Sequence, residues 1–128
     1  MKTKLRRIHV DNNEYKYSIN NKYYSKDSTN ILTVKVYLDG SKNSPLIIEF
    51  LTLDHHSMGQ ILESGVNLEN TITNTIETLN IHEPKRIREL ILKGRTNGWT
   101  GYNKMQIQNG INYLNELGFK TNDIEPLN

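Results

Sequence analysis

The sequence lacks cysteine and alanine altogether, and it has one tryptophan and three prolines among its 128 residues. Without cysteine the chain can form no disulfide, no thiolate metal site and no cysteine nucleophile. No stretch approaches the ~18 consecutive apolar residues of a membrane-spanning helix. No apolar run follows the basic N-terminus as it would in a signal peptide. We therefore expect a cytoplasmic protein that has no membrane partner.

Recognisable motifs of catalysis are also missing. The glycines match neither of the common phosphate-binding loops, and no serine stands in a nucleophile elbow. Asp54-His55-His56 is the one cluster of residue types that bind zinc or transfer protons. Adjacent histidines point in different directions on most backbones, and the other two histidines lie far away in sequence. We interpret the cluster as a solvated loop and expect no catalytic residue, no metal and no cofactor.

The residues that are present suit one small folded domain. Leucine, isoleucine, valine and phenylalanine make up 34 of the 128 residues, which is more than the ~20% below which disorder is expected. The 17 asparagines are scattered along the chain and form no low-complexity tract. We predict a single α+β domain over residues 1–120 and a flexible tail over residues 121–128.

Alternating apolar and polar residues predict strands over residues 4–10, 14–19 and 31–38, and an apolar run of strand-forming residues predicts a fourth over 46–53. Turn-forming residues separate them, and residues 20–30 read as a long polar loop. Residues 60–79 are ambiguous, because isoleucine and leucine fall at helical spacing while the threonines favour a strand. We predict short strands near 65–68 and 72–79, and therefore an antiparallel sheet of four to six strands.

Two helices are predicted to cover this sheet, at about 83–98 and 104–117. Pro84 suits a first helical turn and Gly98 a left-handed stop. One face of the first helix is apolar, formed by Ile87, Leu90, Ile91 and Gly94.

A second stripe of the first helix flanks that face and consists of Arg88, Leu92, Arg95 and Trp99. One interpretation is that Leu92 and Trp99 widen the core while the arginines lie over its rim. The other is an exposed surface that binds a partner, because arginine and tryptophan are frequent at binding hot spots. We name these four residues as the candidate partner-binding site.

The order of elements, with the pattern Ile81…Pro84…Ile87…Ile91 closed by Gly98-Trp99, resembles a family of small bacterial proteins of unknown function. The likeness spans about residues 4–99. Two residues separate Ile81 from Pro84 where that family has one, and Tyr15-Lys16-Tyr17 stands where a tryptophan is expected. Because the family has no assigned activity, the resemblance implies an α+β fold and carries no functional residue.

We therefore expect a non-enzymatic protein-interaction module, for example a bacterial immunity-type or accessory binding protein whose partner is another protein. The alternative is a nucleic-acid-binding accessory protein that uses the basic helix over 85–95, where five cationic residues could contact phosphates. A hydrolase or metal enzyme that uses His55 and His56 is the third alternative. The net charge of +2 does not decide among them.

Overall fold

The alternating residues of the first half form an antiparallel meander in the computed structural model, which describes residues 4–126. Its strands are β1 (Arg6–Val10), β2 (Asn13–Tyr24), β3 (Thr29–Leu38) and β4 (Leu46–Leu53). They lie side by side in the order of the chain. The four predicted strands and their meander are therefore confirmed.

The predicted loop over residues 20–30 is wrong for most of its length. Strand β2 continues to Tyr24 and pairs there with Thr29, so that only residues 25–28 form the turn. The polar residues that suggested a loop lie where the sheet extends beyond the apolar core. Asn21 and Asn30 pair through their side chains at this end, with 2.8 Å between Nδ2 of Asn21 and Oδ1 of Asn30. Polar strand residues whose side chains hydrogen-bond to one another across the strands therefore resemble a loop in sequence.

As far as residue 126, the second half adds a smaller sheet and three helices. These elements are α1 (Ile61–Ser64), β5 (Val66–Asn70), β6 (Thr75–Leu79), α2 (Pro84–Thr96), β7 (Gln108–Asn109) and α3 (Gly110–Glu116). Strands β5 and β6 form an antiparallel two-stranded sheet, while β7 joins the larger sheet parallel to β4. The α+β class is confirmed, and so are the two strands predicted within the ambiguous segment.

The second predicted helix, 104–117, is much shorter in the structure. Its first six residues are not helical, and the helix begins only after Asn109, whose side-chain oxygen accepts a hydrogen bond from the backbone N–H of Asn112 at 3.2 Å. Such a cap satisfies an otherwise free donor of the first turn and fixes where the helix begins. Ile107, predicted to be buried, is 56% exposed. Its helical spacing from Ile111 is a coincidence of sequence.

The main core lies between one face of the large sheet and helices α2 and α3. Two glycines allow the close approach of these helices. A methyl group on Gly94 would overlap the side chain of Leu46, and one on Gly110 would overlap the ring of Phe50. Leu46 and Phe50 are both fully buried on the same face of β4. The other face of the large sheet has neither α2 nor α3 against it.

The C-terminal segment differs from the flexible tail that the sequence predicted. Thr121 and Ile124 are buried, and the backbone N–H of Leu53 donates to the carbonyl of Ile124 at 2.9 Å. One apolar residue in a short polar segment is a weak signal, yet here it anchors residues 121–126 to the end of β4. Residues 127 and 128, which the prediction also includes, lie outside the described residues.

Candidate functional site

Trp99, the last residue of the candidate stripe, lies in the core. Its side chain is 2% exposed, its ring centroid is 5.8 Å from that of Tyr15, and its indole N–H donates to the carbonyl of Ser44 at 3.0 Å. A tryptophan in a protein core usually has an acceptor for its indole N–H, as Trp99 has here. Trp99 therefore cannot present its ring to a partner, and the partner-binding stripe is wrong for this residue.

The other three residues of the stripe lie beside the β1–β2 turn. The side chains of Arg88 and Arg95 are 48% and 36% exposed, and both reach the carboxylate of Asp11. The distances are 3.7 Å from Nη2 of Arg88 and 3.0 Å from Nη1 of Arg95. Leu92, between them on the helix, is half-buried against the core. One carboxylate shared by two guanidinium groups leaves this site with an excess of positive charge.

The neighbouring edge of the large sheet is open. Backbone groups of successive residues in a strand point to opposite sides, so only alternate residues bond to a given neighbour. The two-residue turn after Val10 pairs that residue with Asn13 across the β1–β2 ladder. Ile8 and Arg6 therefore also bond to β2, while Arg7 and His9 direct their N–H and C=O groups outward. In the described part of the chain no backbone group outside β1 and β2 bonds to this edge.

The opposite edge, formed by β4, is covered in part by other segments of the chain. Strand β7 pairs with β4 at Ile48 and Glu49, and Ile124 accepts the outward N–H of Leu53. Because the N–H of Leu53 bonds to Ile124, the odd-numbered residues of β4 direct their backbone groups away from β3. The two edges of the large sheet thus differ: β4 is partly covered, while β1 is available to another strand.

We call the region around this open strand the basic edge surface. Five cationic side chains and two carboxylates lie along it, which leaves a surplus of three positive charges. Arg7 pairs with Glu14 at 3.3 Å, while both groups remain largely exposed. The basic edge surface consists of Lys4, Arg6, Arg7, His9, Asp11 and Glu14, with Arg88, Leu92 and Arg95 from helix α2.

The remaining cations of α2 are mostly held by acidic side chains elsewhere. Lys93 lies 3.0 Å from a carboxylate oxygen of Glu116, and Arg86 is buried. Within residues 4–126, Lys85 alone among the five cations of the basic helix has no carboxylate within 4 Å. The helix thus offers few cations that are free to neutralise phosphate groups.

Arg86 is a residue whose role the sequence did not predict. Its guanidinium donates to Glu89 at 2.9 Å, and to Glu77 and the carbonyl of Thr78 at 3.3 Å each. The group also lies over the ring of Phe119, 5.2 Å from its centroid. Burial lowers the pKa of Arg86, but the hydrogen bonds and charges of Glu89 and then Glu77 outweigh it, so the pKa stays above its ordinary value. Arg86 therefore joins α2 to the small sheet as a permanent cation.

The histidine cluster forms a tight loop after β4. The Nδ1 atom of His55 accepts the backbone N–H groups of Ser57 and Met58 at 3.2 and 3.1 Å, and its ring stacks on that of His56. Asp54 accepts a short hydrogen bond, 2.6 Å, from the buried side chain of Asn30. These side chains therefore serve the structure of the loop. Among residues 4–126 there is no group of three or more histidine, aspartate or glutamate side chains placed to hold a metal ion.

The uncovered face of the large sheet carries a second feature. Ile31 and Leu51, paired across β3 and β4, line a shallow hollow together with Ile107. Leu51 is 46% exposed. An antiparallel sheet whose second face meets water normally carries polar residues there. This apolar patch is thus the main alternative to the basic edge surface as a surface that binds a partner.

None of the helices in the described part of the chain has the length and apolar character needed to cross a bilayer. The resemblance of about residues 4–99 to a small bacterial family stays a prediction. Comparison of the chain with models of protein families, with curated proteins and with solved structures gives no match.

Proposed function

We propose that the protein is a non-enzymatic interaction module that binds another protein through the basic edge surface. The observation that carries the proposal is the open edge of β1, whose outward backbone groups have no backbone partner among residues 4–126, while part of the opposite edge is bonded to β7 and Ile124. Rows of unpaired backbone groups are the part of a sheet that pairs most readily with another chain. A protein backbone is the natural ligand of such an edge.

The side chains around the edge support the same proposal. Arg88 and Arg95 project beside β1 and share one carboxylate, so that each retains capacity for a further acidic group. Arginine is enriched at interface hot spots, where its planar group can bind a carboxylate through two hydrogen bonds. Leu92 supplies an adjoining apolar contact. A rim of charge around a small apolar centre is the usual anatomy of a protein interface.

The finer version of the proposal is an immunity-type protein, which binds one toxin and blocks it. Its support is limited to the small size of the chain and to a single candidate surface. For this version we expect that a neighbouring gene encodes a toxin, and that this toxin binds the basic edge surface. A neighbouring gene without such a product would remove the immunity version and leave the interaction module.

Site-specific photo-cross-linking tests the proposed surface. A photoreactive amino acid is placed at Leu92 in one variant and at Leu51 in another, and each is produced in cells that make the natural protein. We expect a specific partner to cross-link from position 92 and not from position 51. Cross-linking from position 51 alone would show that the apolar patch of the sheet is the contact surface, and the proposal would be wrong.

Charge reversal provides an independent measurement once a partner is identified. Arg88→Glu together with Arg95→Glu should weaken binding by at least ~2 kcal/mol, because two hot-spot cations become repulsive. Leu51→Asp is the matched control, since it adds one negative charge on the other surface and should leave affinity unchanged. Melting curves of each variant show whether the fold is retained.

A further inference from the structure

We infer that the binding segment of the partner is an extended acidic stretch, which adds to β1 as a sixth strand of the large sheet. The inference rests on the proposed function, since it names the kind of partner that the basic edge surface accepts. Three features carry it: the direction of the backbone groups on β1, the sign of the charges around them, and the apolar contact offered by α2.

The backbone of β1 has the geometry for strand addition. Arg7 and His9 both direct N–H and C=O groups outward, and two residues of a strand span about 6.6 Å. An added strand can therefore bond at both residues with the same spacing along its own backbone. The pairing extends a ladder that already runs through five strands, so that its twist and hydrogen-bond directions are fixed before the partner binds.

The charges select an acidic strand and disfavour a second copy of this chain. Arg6 and Arg7 stand next to each other on β1, and Lys4 precedes them. Two β1 strands laid edge to edge would bring these cations together, and like charges opposite one another destabilise a strand pair. A segment rich in aspartate or glutamate would instead meet the surplus of three positive charges.

Helix α2 adds a preference for apolar residues at alternate positions. Ile8 and Val10 point from β1 towards the face of the sheet that the helices cover, and Ile8 is partly exposed there. A neighbouring strand directs every second side chain to the same face. Those side chains would approach the half-buried Leu92, between the two arginines. The expected partner segment therefore alternates acidic and aliphatic residues.

Cationic residues on an edge strand also have a protective role, because they hinder aggregation through strand pairing. Protection alone predicts that no strand adds to β1, whatever its charge. Strand addition predicts that acidic strands add and basic ones do not. The two explanations therefore differ in a measurable way.

The test uses two synthetic seven-residue peptides with blocked ends, one of alternating glutamate and valine and one of alternating lysine and valine. Each is titrated into the ¹⁵N-labelled full chain, and amide hydrogen exchange is followed by NMR. We expect the glutamate peptide to slow exchange of the Arg7 and His9 amides by about tenfold at saturation, because both N–H groups become bonded. The Ile8 amide, already bonded to β2, should change little, and the lysine peptide should have no effect.

His9→Pro is the discriminating variant. It removes one outward N–H without changing a formal charge, and proline is tolerated on an edge strand where its nitrogen faces solvent. We expect this variant to fold and to bind the glutamate peptide at least ~10-fold more weakly.

Two outcomes would overturn the inference: failure of the glutamate peptide to bind, or binding that leaves the Arg7 and His9 amides unprotected. In either case, a natural partner that cross-links from position 92 would leave the proposed function standing. A partner that cross-links only from position 51 would overturn both the inference and the proposed function.

Discussion

Substitution of Trp99 tests whether this residue stabilises the core or binds a partner. Because its indole is buried and bonded to the carbonyl of Ser44, we expect Trp99→Ala to cost about 3–5 kcal/mol of unfolding free energy. That is a large part of the ~5–15 kcal/mol by which small domains are stable. Chemical denaturation measures the loss. The fluorescence of this single tryptophan should be blue-shifted and poorly quenched by iodide.

Trp99→Phe is the matched control. It retains most of the apolar volume and loses the hydrogen bond to Ser44, which is worth about 1 kcal/mol with some further loss from packing. A Trp99→Ala variant that melts like the unsubstituted protein, together with free quenching by iodide, would contradict the core position of the side chain.

Arg86 joins two elements through charge, and its removal should be costly for a different reason. Arg86→Ala leaves Glu77 and Glu89 without their shared partner, and breaking a buried ion pair from one side costs about 3–5 kcal/mol. Because both carboxylates keep partial contact with water, we expect a loss below this range, of about 2–3 kcal/mol. Urea denaturation at neutral pH provides the measurement.

Neutralising both carboxylates as well should recover part of that loss. The variant with Arg86→Met, Glu77→Gln and Glu89→Gln carries no unpaired buried charge, and such replacements are often close to neutral. It also removes the Arg86 Nε atom, which is buried without a hydrogen-bond partner among the described residues. A triple variant no more stable than Arg86→Ala would contradict the idea that the unpaired carboxylates cause the loss.

Sequence reasoning at the residue scale identified apolar positions better than the role of charged ones. Ile87 and Ile91 were predicted to be buried from helical spacing, and they are. Arg86, next to Ile87, counts in the sequence only as one of the five cationic residues of the basic helix, because nothing local reveals that Glu77 of a distant strand lies opposite it. Asp11 likewise gave no sign that it would bind two arginines of α2. Long-range charge pairs leave no periodic signal in a sequence.

Strand β1 offers a prediction at the scale of an element. Ile8 and His9 are neighbours on one short strand, but their backbone groups point to opposite sides: those of Ile8 bond to β2, and those of His9 point outward. Ile8→Pro removes an N–H that bonds to β2, so we expect a loss of about 3 kcal/mol or more. His9→Pro removes an outward N–H and should cost less than about 1 kcal/mol by the same reasoning.

Thermal melting of both proline variants gives the comparison. His9→Ala separates the loss of the imidazole from the effect of the proline ring. Equal destabilisation by Ile8→Pro and His9→Pro would contradict the assignment of inward and outward groups, and with it the open edge on which the proposed interaction depends.

At this scale the sequence predicted the existence of elements better than their ends. Strand β4 has the bounds that its apolar run predicted, since turn residues flank it on the N-terminal side and a polar loop follows. Strand β2 runs five residues past its predicted end, because asparagines paired across strands look like a loop. Helix α3 starts six residues late, because an Asn109 cap was indistinguishable from the many other asparagines. The open edge itself could not be predicted, since it depends on which strands close the other edge.

For the whole molecule, the distribution of charge matters more than its small net value. The basic N-terminal strand and the basic helix converge on Asp11, so that part of the charge of each is neutralised and the rest is concentrated at one edge. Lys93 and Arg86 are paired elsewhere on the helix. A helix whose cations are already paired gains little from releasing the counterions of a nucleic acid.

We therefore expect no complex with double-stranded DNA or RNA at about 50 mM salt, where non-specific binding by phosphate contacts is strong. Fluorescence anisotropy with labelled 20-base-pair duplexes is the measurement. Asp11→Asn is the matched control, because it frees Arg88 and Arg95 without adding a cation. Any binding by the Asp11→Asn variant should weaken as salt is added. A plot of the logarithm of its affinity against the logarithm of the salt concentration should have a slope no steeper than about −2, the value for two phosphate contacts. Binding by the unsubstituted protein with a steeper slope, lost in the Arg88→Glu, Arg95→Glu variant, would instead favour the nucleic-acid alternative.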